Sequence, residues 1–523
     1  MVPFDNSRVL IKGAFILTIA ATITKVLSAV YRVPFQNIVG DIGFYIYQQV
    51  YPIYGLAIAL TTYGFPVIIS KLVAEAETTK EMDSRQIAHT SFLLLGIFGL
   101  FTFLLVFFGS NFIAGWMGDR QLTPLIKIVS FSFLLVPFIS TIRGYFQGKG
   151  NMIPTAISQV QEQLIRVIFI LLLATVLVKN GSSLYKVGSG TVLSSIIGSL
   201  AALLTLFIFY SRHKSSNVKL TTSSVTFIAK NLLIQGTAIC ISGALLILLQ
   251  FVDSLNIYSL LIKSGVEIDQ AKELKGIFDR GQPLIQLGTV VATSFSLTLV
   301  PALTSSRTSI RETNFFDKIG LAIKISVIVG LGAAVGIICI MEPTNIMLFS
   351  NNDGTSVLQV FSIAILFGSM ILTMSGILQG IGCMKDSAKY VLIGVLVKYL
   401  GNYIFIPKYE TMGASFSTII ALFLILVLCI YKLKKMGIPL LSYLFYAKII
   451  VSAFFMAFIL YLWTAVFSYF NLTSRGWSTI NALGGVMVGG IVYIFMVRGL
   501  KLLNEKELES IPFGKYFIHT KKN

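Results

Sequence analysis

Long apolar runs fill this 523-residue chain, and they restrict the folds open to it more than any other feature. Each run has about 20 residues or more, enough for an α-helix to cross the hydrocarbon core of a bilayer. Helices of this kind satisfy all their backbone hydrogen bonds internally, as a bilayer requires. The sequence therefore predicts an all-α polytopic membrane protein with fourteen transmembrane helices, at about 9–38, 43–70, 87–109, 122–147, 152–178, 184–210, 226–260, 279–304, 315–341, 355–381, 387–407, 411–431, 440–470 and 478–498.

Composition agrees with a membrane protein. Hydrophobic residues make up 55% of the chain and charged residues only 12%, whereas soluble domains carry about 25% charged residues. The first run contains Lys25 and Arg32 and lacks a small-residue cleavage site, so we interpret it as a retained span rather than a signal peptide.

A stretch near the end of the fourth run recurs near the end of the tenth. Residues 143–156 read RGYFQGKGNMIPTA and residues 375–388 read SGILQGIGCMKDSA. At the same offset, Arg166 matches Lys398, two cations inside otherwise apolar runs. Duplicated sets of apolar segments are typical of transporters, whose binding site lies at the interface between the repeats. We expect two pseudo-symmetric six-helix lobes, a final helix pair and a cytoplasmic tail, at 1–220, 221–436, 437–500 and 501–523.

The distribution of basic residues predicts the orientation in the membrane. With the N-terminus inside, 24 lysines and arginines fall in inner segments and 8 in outer segments. An excess of this kind marks the cytoplasmic side. We therefore expect a multi-pass protein of the cell membrane with both termini in the cytoplasm. The net charge of +19 then reflects topology, and nucleic acid is not an expected partner.

Three cations lie too deep to reach the lipid headgroups easily. Lys25, Arg166 and Lys398 are 12–17 residues into their spans, about 18–25 Å deep at the helical rise. A charge near mid-bilayer costs at least ~2.5 kcal/mol and normally faces protein or water. We interpret these three as functional cations. Lysines nearer the ends of their runs are expected to extend to the headgroups: Lys127, Lys230, Lys324 and Lys448.

Two acidic residues within the runs each have two interpretations. Glu162 lies four residues before Arg166, so the two share a helical face. In the first interpretation they form an ion pair that merely eases insertion into the membrane. In the second, Glu162 holds Arg166 in place for an anionic substrate. Asp253 either pairs with a cation on a neighbouring helix, such as Arg32, or couples transport to protons or sodium ions.

Prolines interrupt the second span of each half at corresponding places. Pro66 lies in YGFPVIISK and Pro301 in SLTLVPALTSS. Paired interruptions of this kind are typical of a moving element, so we predict that both prolines act as hinges. The alternative is a pair of ordinary kinks in a helical bundle.

Signatures of catalysis and of metal binding do not occur in the sequence. The three histidines lack metal-ligand spacing, and the four cysteines form no C-x-x-C motif. A P-loop and a nucleophile elbow are also missing, so ATP hydrolysis is not expected. We predict a transporter and not an enzyme, without a metal or cofactor. Its energy source would be an ion gradient, the membrane potential or the consumption of its product.

Three segments carry a resemblance that covers essentially the first 500 residues. They are the opening LIKGAFILTIAATITKVLSAVYRVPFQNIVGDIG, the segment AISQVQEQLIRV at 156–167 and the QGxG turn after the fourth run. The chain resembles the MurJ/SpoVB branch of the multidrug/oligosaccharidyl-lipid/polysaccharide (MOP) exporters, closest to the SpoVB-like Firmicute polysaccharide biosynthesis proteins. This resemblance implies fourteen helices, two lobes around a V-shaped cavity and the flipping of lipid-linked saccharides, lipid II above all, to the outer leaflet.

The resemblance also implies a cationic substrate pocket. The first-span pattern Ser-Arg-x-Leu-Gly of the MurJ type is TKVLS at 24–28, so Lys25 takes the place of an arginine, and a second arginine falls one residue from Arg32. The Asp-Arg pair that opens the eighth span is present, whereas a second-span arginine has no match. The expected substrate-binding residues are Lys25, Arg32, Arg166, Arg280 and Lys398, with Glu162, Asp253 and Asp279 in supporting or coupling roles.

We therefore predict a flippase for undecaprenyl-pyrophosphate-linked saccharides, such as a lipid II-like peptidoglycan precursor. It would work by alternating access, as a monomer among membrane lipids, with a coupling cation or the membrane potential. The alternatives are a flippase for another polyprenyl-linked envelope or spore polysaccharide, a MATE-like cation or drug antiporter, and a scaffold for envelope synthesis. A cation antiporter would require carboxylates and a scaffold no buried cations, whereas the deep charges are mostly positive.

Overall fold

The computed structural model describes residues 4–79, 82–211, 222–290, 313–438, 441–504 and 507, and the regular structure in them is helical throughout. The first half of the chain forms α1 (Phe4–Val30), α2 (Arg32–Ala59), α3 (Phe65–Thr79), α4 (Ser84–Phe108), α5 (Ser110–Trp116), α6 (Thr123–Ser130), α7 (Ser132–Gly148), α8 (Ile153–Lys179) and α9 (Leu184–Ser211). The remainder forms α10 (Thr222–Lys230), α11 (Thr237–Gly243), α12 (Leu245–Lys263), α13 (Ile268–Asp279), α14 (Gly281–Gly288), α15 (Thr313–Cys339), α16 (Met341–Phe349), α17 (Thr355–Ser362), α18 (Ala364–Gly380), α19 (Met384–Lys435), α20 (Tyr443–Tyr469) and α21 (Arg475–Gly499).

Twelve helical stretches of the described chain are long and apolar enough to cross a membrane. Two of them, Phe15–Thr79 with 65 residues and Met384–Lys435 with 52, have room for two crossings each. Each contains a residue with non-helical backbone angles where two predicted runs meet, Gly40 in the first and Glu410 in the second. The seventh predicted run is divided into α11 and α12, and the eighth continues into 291–312, outside the described residues. The all-helical membrane fold is confirmed, and the number fourteen stays a prediction.

The repeated QGxG stretch forms the same helix end in both halves of the chain. Gly150 after α7 has φ 77°, and Gly382 after α18 has φ 87°. In each copy the residue after the glycine donates its N–H to the carbonyl five residues earlier, Asn151 to Phe146 at 2.9 Å and Cys383 to Leu378 at 2.7 Å. This is a Schellman cap, which favours glycine because the left-handed backbone crowds a Cβ atom. The repeated sequence therefore forms the same local structure in both halves.

Small residues allow the helices of the first half to approach one another closely. Cβ atoms added to Gly144 and Gly148 of α7 would lie 2.6 Å and 2.5 Å from side-chain atoms of α3. Gly198 of α9 packs in the same way on α8, where an added Cβ atom would lie 2.7 Å from the carbonyl oxygen of Glu162. Contacts this tight set the rotation of α8 and hence the directions in which its polar side chains point.

The second and seventh spans are irregular where they meet. Residues Leu60–Gly64 form a π-helical turn just before Pro66, whose missing N–H interrupts the α-helical hydrogen bonds. A second π-helical turn, Asn231–Gly236, precedes α11 without a proline. The first turn packs on α11 and the second on α3. The hinge role of Pro66 stays a prediction, and Pro301 lies outside the described residues.

Candidate functional site

A cavity of about 160 Å³ lies between the helices of the first and second halves. One wall comes from α1, α2 and α8, and the other comes from α11, α12, α14 and α18. The lining combines two cations and an acid with tyrosines, glutamines, hydroxyls and aliphatic side chains. These residues are Ala21, Thr24, Lys25, Ser28, Tyr51, Tyr54, Ile58, Thr62, Tyr63, Gln159, Glu162, Gln163, Arg166, Gly243, Leu246, Ile247, Gln286, Thr289 and Leu372.

Lys25 presents a positive charge to this cavity. Its side chain is half-buried on α1. It takes part in none of the ion pairs that the described residues form. An ammonium group offers three donors and no acceptor, so it binds anions as a point charge. Lys25 is therefore a cation without a carboxylate partner in the described structure.

Arg166 is a second cation on the cavity wall, held by tyrosines. It is 1% exposed, and its Nη2 donates to the Tyr31 hydroxyl at 3.0 Å. The guanidinium carbon lies 4.9 Å from the ring centre of Tyr54 and 5.7 Å from that of Tyr51. Its Nε has no hydrogen-bond partner among the described residues. Aromatic faces stabilise the cation without cancelling its charge.

Glu162 lines the same cavity but pairs with an arginine that the sequence analysis did not single out. Arg143 of α7 donates from Nη2 to Glu162 Oε2 at 2.9 Å and from Nε to Ser158 Oγ at 3.1 Å. The other carboxylate oxygen accepts from Ser199 at 2.7 Å. The expected pair between Glu162 and Arg166 is therefore wrong, because contacts between helices determine the pairing. Arg143 lies near the end of the fourth run, so its position along the sequence does not mark it as a deep cation.

Arg32 lies behind the cavity and is completely buried. Its guanidinium carbon is 4.4 Å from the ring centre of Tyr51. None of its three nitrogens makes a hydrogen bond of ordinary geometry to a described residue. Tyr51 thus separates Arg32 from the cavity and touches Arg166 as well. Arg32 adds to the positive potential at this wall without lining it.

Arg280 does not line this cavity, and joins the two halves elsewhere. Its Nε and Nη2 donate to the two carboxylate oxygens of Asp41 at 2.9 Å and 2.5 Å. Its Nη1 donates to Asn351 at 2.5 Å and to Asn345 at 3.4 Å. Asp41 lies in the connection between the first two predicted runs, so the bidentate pair ties α2 to the start of α14. The bonds from Nη1 add a link to α16 and to the segment after it.

The remaining predicted charges of the second half form buried pairs. Asp279 accepts from Lys275 at 2.6 Å, with both side chains fully buried. Asp253 pairs with Lys398 at 2.8 Å and not with Arg32. Lys398 also donates to Thr418, and Asn402 donates to Asp253 at 3.4 Å. Because each of these charges has its counterion, they leave no uncompensated charge in this region of the described structure.

The two halves therefore differ in charge balance around Arg166 and Lys398, although these two cations occupy matching positions of the repeat. Arg166 on α8 and Lys398 on α19 are both buried, and each faces the early helices of its own half. Arg166 contacts phenols, whereas Lys398 contacts the carboxylate of Asp253. In the described residues, the uncompensated positive charge of this site belongs to the first half, at Lys25 and Arg166 on the cavity wall and at Arg32 behind it.

The described residues contain no group of three or more His, Cys, Asp or Glu side chains that could hold a metal ion. The lining offers instead ammonium and guanidinium donors, phenols, and amides. Such groups bind anions and hydroxyl-rich molecules. A cavity with such donors between two sets of helices long enough to cross a membrane is typical of one class of protein, the multi-pass membrane transporters.

Comparison with known proteins gives the family. The polysaccharide biosynthesis protein family matches residues 10–307. The chain is 43% identical over 520 residues to "Uncharacterized membrane protein YabM" of Bacillus subtilis, covering 96% of this chain and 95% of that protein. It belongs to the polysaccharide biosynthesis protein family and to the MurJ/SpoVB-like branch of the MOP superfamily.

Two further Bacillus subtilis relatives carry more specific names. "Lipid II flippase MurJ" is 28% identical over 437 residues, covering 79% of this chain and 80% of that protein. "Stage V sporulation protein B" is 26% identical over 536 residues, covering 97% and 99%.

Solved structures agree on the fold. "Lipid II flippase MurJ, inward closed conformation" superposes with a TM-score of 0.68 at 17% identity, over 93% of this chain and 99% of that one. A MATE family transporter in its inward-facing conformation gives 0.62 at 14% identity, over 81% and 99%. At these identities the likeness concerns the fold alone.

Proposed function

We propose that this protein is a flippase for undecaprenyl-pyrophosphate-linked saccharides, with a lipid II-like peptidoglycan precursor as its cargo. One observation carries the proposal: Lys25 and Arg166 line a cavity between the two halves, and neither has a carboxylate partner among the described residues. The match to a lipid II flippase over 79% of the chain supports the same cargo.

The chemistry of the cargo explains why unpaired cations are needed. A pyrophosphate cannot cross hydrocarbon unaided, because removing its charges from water costs several kcal/mol or more per charge. Arg166 supplies directional donors for phosphate oxygens, and Lys25 supplies a point charge. The Arg143–Glu162 pair keeps the acid on the wall neutralised, so it does not repel the phosphates.

The contact between Asp41 and Arg280 supports alternating access as the proposed mechanism, because it ties the two halves together. In the proposed orientation, with both termini in the cytoplasm, this pair belongs to the outer end of the bundle and holds that end closed. Release of this pair would open the cavity outward. The proposed domains 1–220 and 221–436 would rock against each other around the cavity, with 437–500 as an added helix pair.

Two alternative functions differ from the proposal in the cargo that is transported. The first is a flippase for another polyprenyl-linked envelope or spore polysaccharide, which would use the same phosphate site; the match to "Stage V sporulation protein B" gives a link to sporulation. A cation antiporter is less well supported, because Asp253 and Asp279 are each paired with a lysine and Glu162 with an arginine. We also propose that the protein acts as a monomer and that a coupling cation or the membrane potential drives transport.

The test is outward exposure of lipid II in bacterial cells depleted of their own flippase. Expression of this chain should restore exposure, and a Lys25→Ala, Arg166→Ala variant should not. Restored exposure of a different polyprenyl-linked glycan would favour the first alternative. Export of ethidium-type cations without flipping of any pyrophosphate lipid would contradict the proposal.

A further inference from the structure

Two glutamines of α8 line the cavity and take no part in the ion pairs. Gln159 is 8% exposed and Gln163 is 7% exposed. The Oε1 atom of Gln159 and the Nε2 atom of Gln163 have no hydrogen-bond partner among the described residues. Buried polar groups are nearly always paired, so unpaired ones on a cavity wall point to a ligand.

The two glutamines lie next to the proposed phosphate site, on the same helical face as Arg166. Gln163 precedes Arg166 by three residues, and Gln159 precedes Gln163 by four. These spacings place all three side chains on one side of α8. Arg166 itself keeps an unpaired Nε. A ligand with its phosphate at Arg166 that extends along α8 toward the start of this helix would have its next chemical group beside Gln163 and Gln159.

The spacing of the glutamines suits a secondary amide. Residues four apart on a helix are separated by about 6 Å along its axis. One glutamine offers an acceptor and the other a donor, and each side-chain amide has both kinds of atom. In a trans secondary amide the N–H and C=O point in opposite directions, so one such group can bridge a donor and an acceptor at about this separation.

The opposite wall suits the methyl end of an acetamido group. Leu246, Ile247 and Leu372 supply aliphatic surface from the second half. Tyr54 and Tyr63 add aromatic faces, which pack on the C–H surface of a sugar ring. The cavity thus combines an amide-binding pair with an apolar surface next to a phosphate site.

We propose that Gln159 and Gln163 recognise an acetamido group on the sugar attached directly to the pyrophosphate. This inference rests on the proposed function and deepens it, because it names the two residues that would select an N-acetylated amino sugar as the first sugar of the cargo. A sugar with only hydroxyls has no amide, so it would need two separate hydroxyl groups to contact both glutamines. The glutamines are specificity-determining residues, while Lys25 and Arg166 supply the affinity for phosphate.

The experiment compares three probes on the purified full chain by native mass spectrometry. The probes are undecaprenyl pyrophosphate, its glucose derivative and its N-acetylglucosamine derivative. We expect the N-acetylglucosamine lipid to bind about ten-fold tighter than the glucose lipid, since one bridging amide adds two hydrogen bonds. Gln159→Leu with Gln163→Leu should remove this preference and leave the affinity for undecaprenyl pyrophosphate within about three-fold.

A matched control lies on the same helix. Gln161 faces away from the cavity lining and accepts a hydrogen bond from Thr205 at 2.5 Å. Gln161→Leu should retain the preference. Single Gln163→Met and Gln159→Met variants replace the double variant if it fails to fold, and each should reduce the preference.

The outcomes separate this inference from the proposed function. Equal binding of the glucose and N-acetylglucosamine lipids by the natural chain would overturn the inference and leave the flippase proposal standing. An unchanged preference in the folded glutamine variants would also overturn it. No binding of any of the three pyrophosphate lipids would overturn the proposed function and the inference with it.

Discussion

At the scale of residues, the partner of a buried charge decides its role more than its depth does. Lys25, Arg166 and Lys398 all lie deep in their spans, yet only Lys398 contacts a carboxylate. A paired charge mainly avoids the penalty of burial, whereas an unpaired one in a cavity can bind an ion of opposite charge. The first two are candidates for substrate binding, and the third is a candidate for structure.

Replacing Lys25 tests the first role. Lys25→Ala should reduce flipping at least about ten-fold, because a charged hydrogen bond to phosphate contributes about 1.5–3 kcal/mol. Lys25→Arg should retain much of the activity. The measurement is lipid II exposure normalised to the amount of protein in the membrane. Lys230→Ala, at an exposed lysine away from this cavity, is the control and should leave flipping unchanged. Full activity of Lys25→Ala would remove this residue from the site.

Replacing Lys398 tests the second role. Lys398→Met leaves Asp253 buried without its cation and should destabilise the fold by about 3–5 kcal/mol. Adding Asp253→Leu should recover most of the loss, because the uncompensated charge is removed. The measurement is thermal unfolding of the purified protein in detergent, with Lys25→Met as the partner-free comparison. Unchanged stability of Lys398→Met would contradict the structural role of the pair.

At the scale of elements, the duplicated QGxG motif ends α7 and α18 in the same way. Both caps depend on a glycine with positive φ. The motif thus stops the helix and turns the chain into the next span, α8 in one half and α19 in the other. These are the helices that carry Arg166 and Lys398, so the caps set the register of both cations.

Substitution of the cap glycines should have the same effect in each half. Gly150→Ala and Gly382→Ala each place a Cβ atom on left-handed backbone and should cost about 1–2 kcal/mol. Gly320→Ala is the control, since no atom lies within 4 Å of its added Cβ and its φ is helical. Helix propensity predicts a slight gain there. Thermal unfolding distinguishes the three variants, and a neutral Gly150→Ala would contradict the requirement.

At the scale of the whole molecule, the proposed mechanism assigns the closure of one end of the cavity to contacts between the halves. The Asp41–Arg280 pair joins residues 239 positions apart. Asn37 adds a hydrogen bond to the carbonyl of Leu348 at 2.8 Å in the same region. Breaking a buried pair of this kind leaves a charge uncompensated, so the closed form should lose most of its advantage.

Asp41→Asn should therefore open the outer end more often. A cysteine introduced at Ser28, on the cavity wall, reports the opening through its labelling by a membrane-impermeant maleimide added outside. Labelling should become several-fold faster in Asp41→Asn, because the neutral amide loses the charge-assisted pairing. The exchange of charges, Asp41→Arg with Arg280→Asp, should restore slow labelling. The chain with Ser28 retained corrects for the native cysteines. Equal labelling rates in all variants would show that the pair is not a gate.

Several properties were predictable from the sequence. The helical class follows from runs of about 20 apolar residues, because a bilayer allows no other simple way to satisfy their backbone. The duplication was visible in the sequence as two matching stretches. Both stretches form the same helix end, because a Schellman motif depends on local residues alone. Lys25 and Arg166 were identifiable because a cation deep in an apolar span requires a special environment.

Only the tertiary structure decided which charges are partners. Spacing along one helix predicted a Glu162–Arg166 pair, yet Arg143 of another helix reaches the carboxylate. Arg280 is bound by Asp41, and Asp253 by Lys398, across distances that no local pattern encodes. The physical reason is that ion pairing depends on the rotation and depth of neighbouring helices. These are set by close packing, such as that of Gly198 on α8, and not by hydrophobic periodicity.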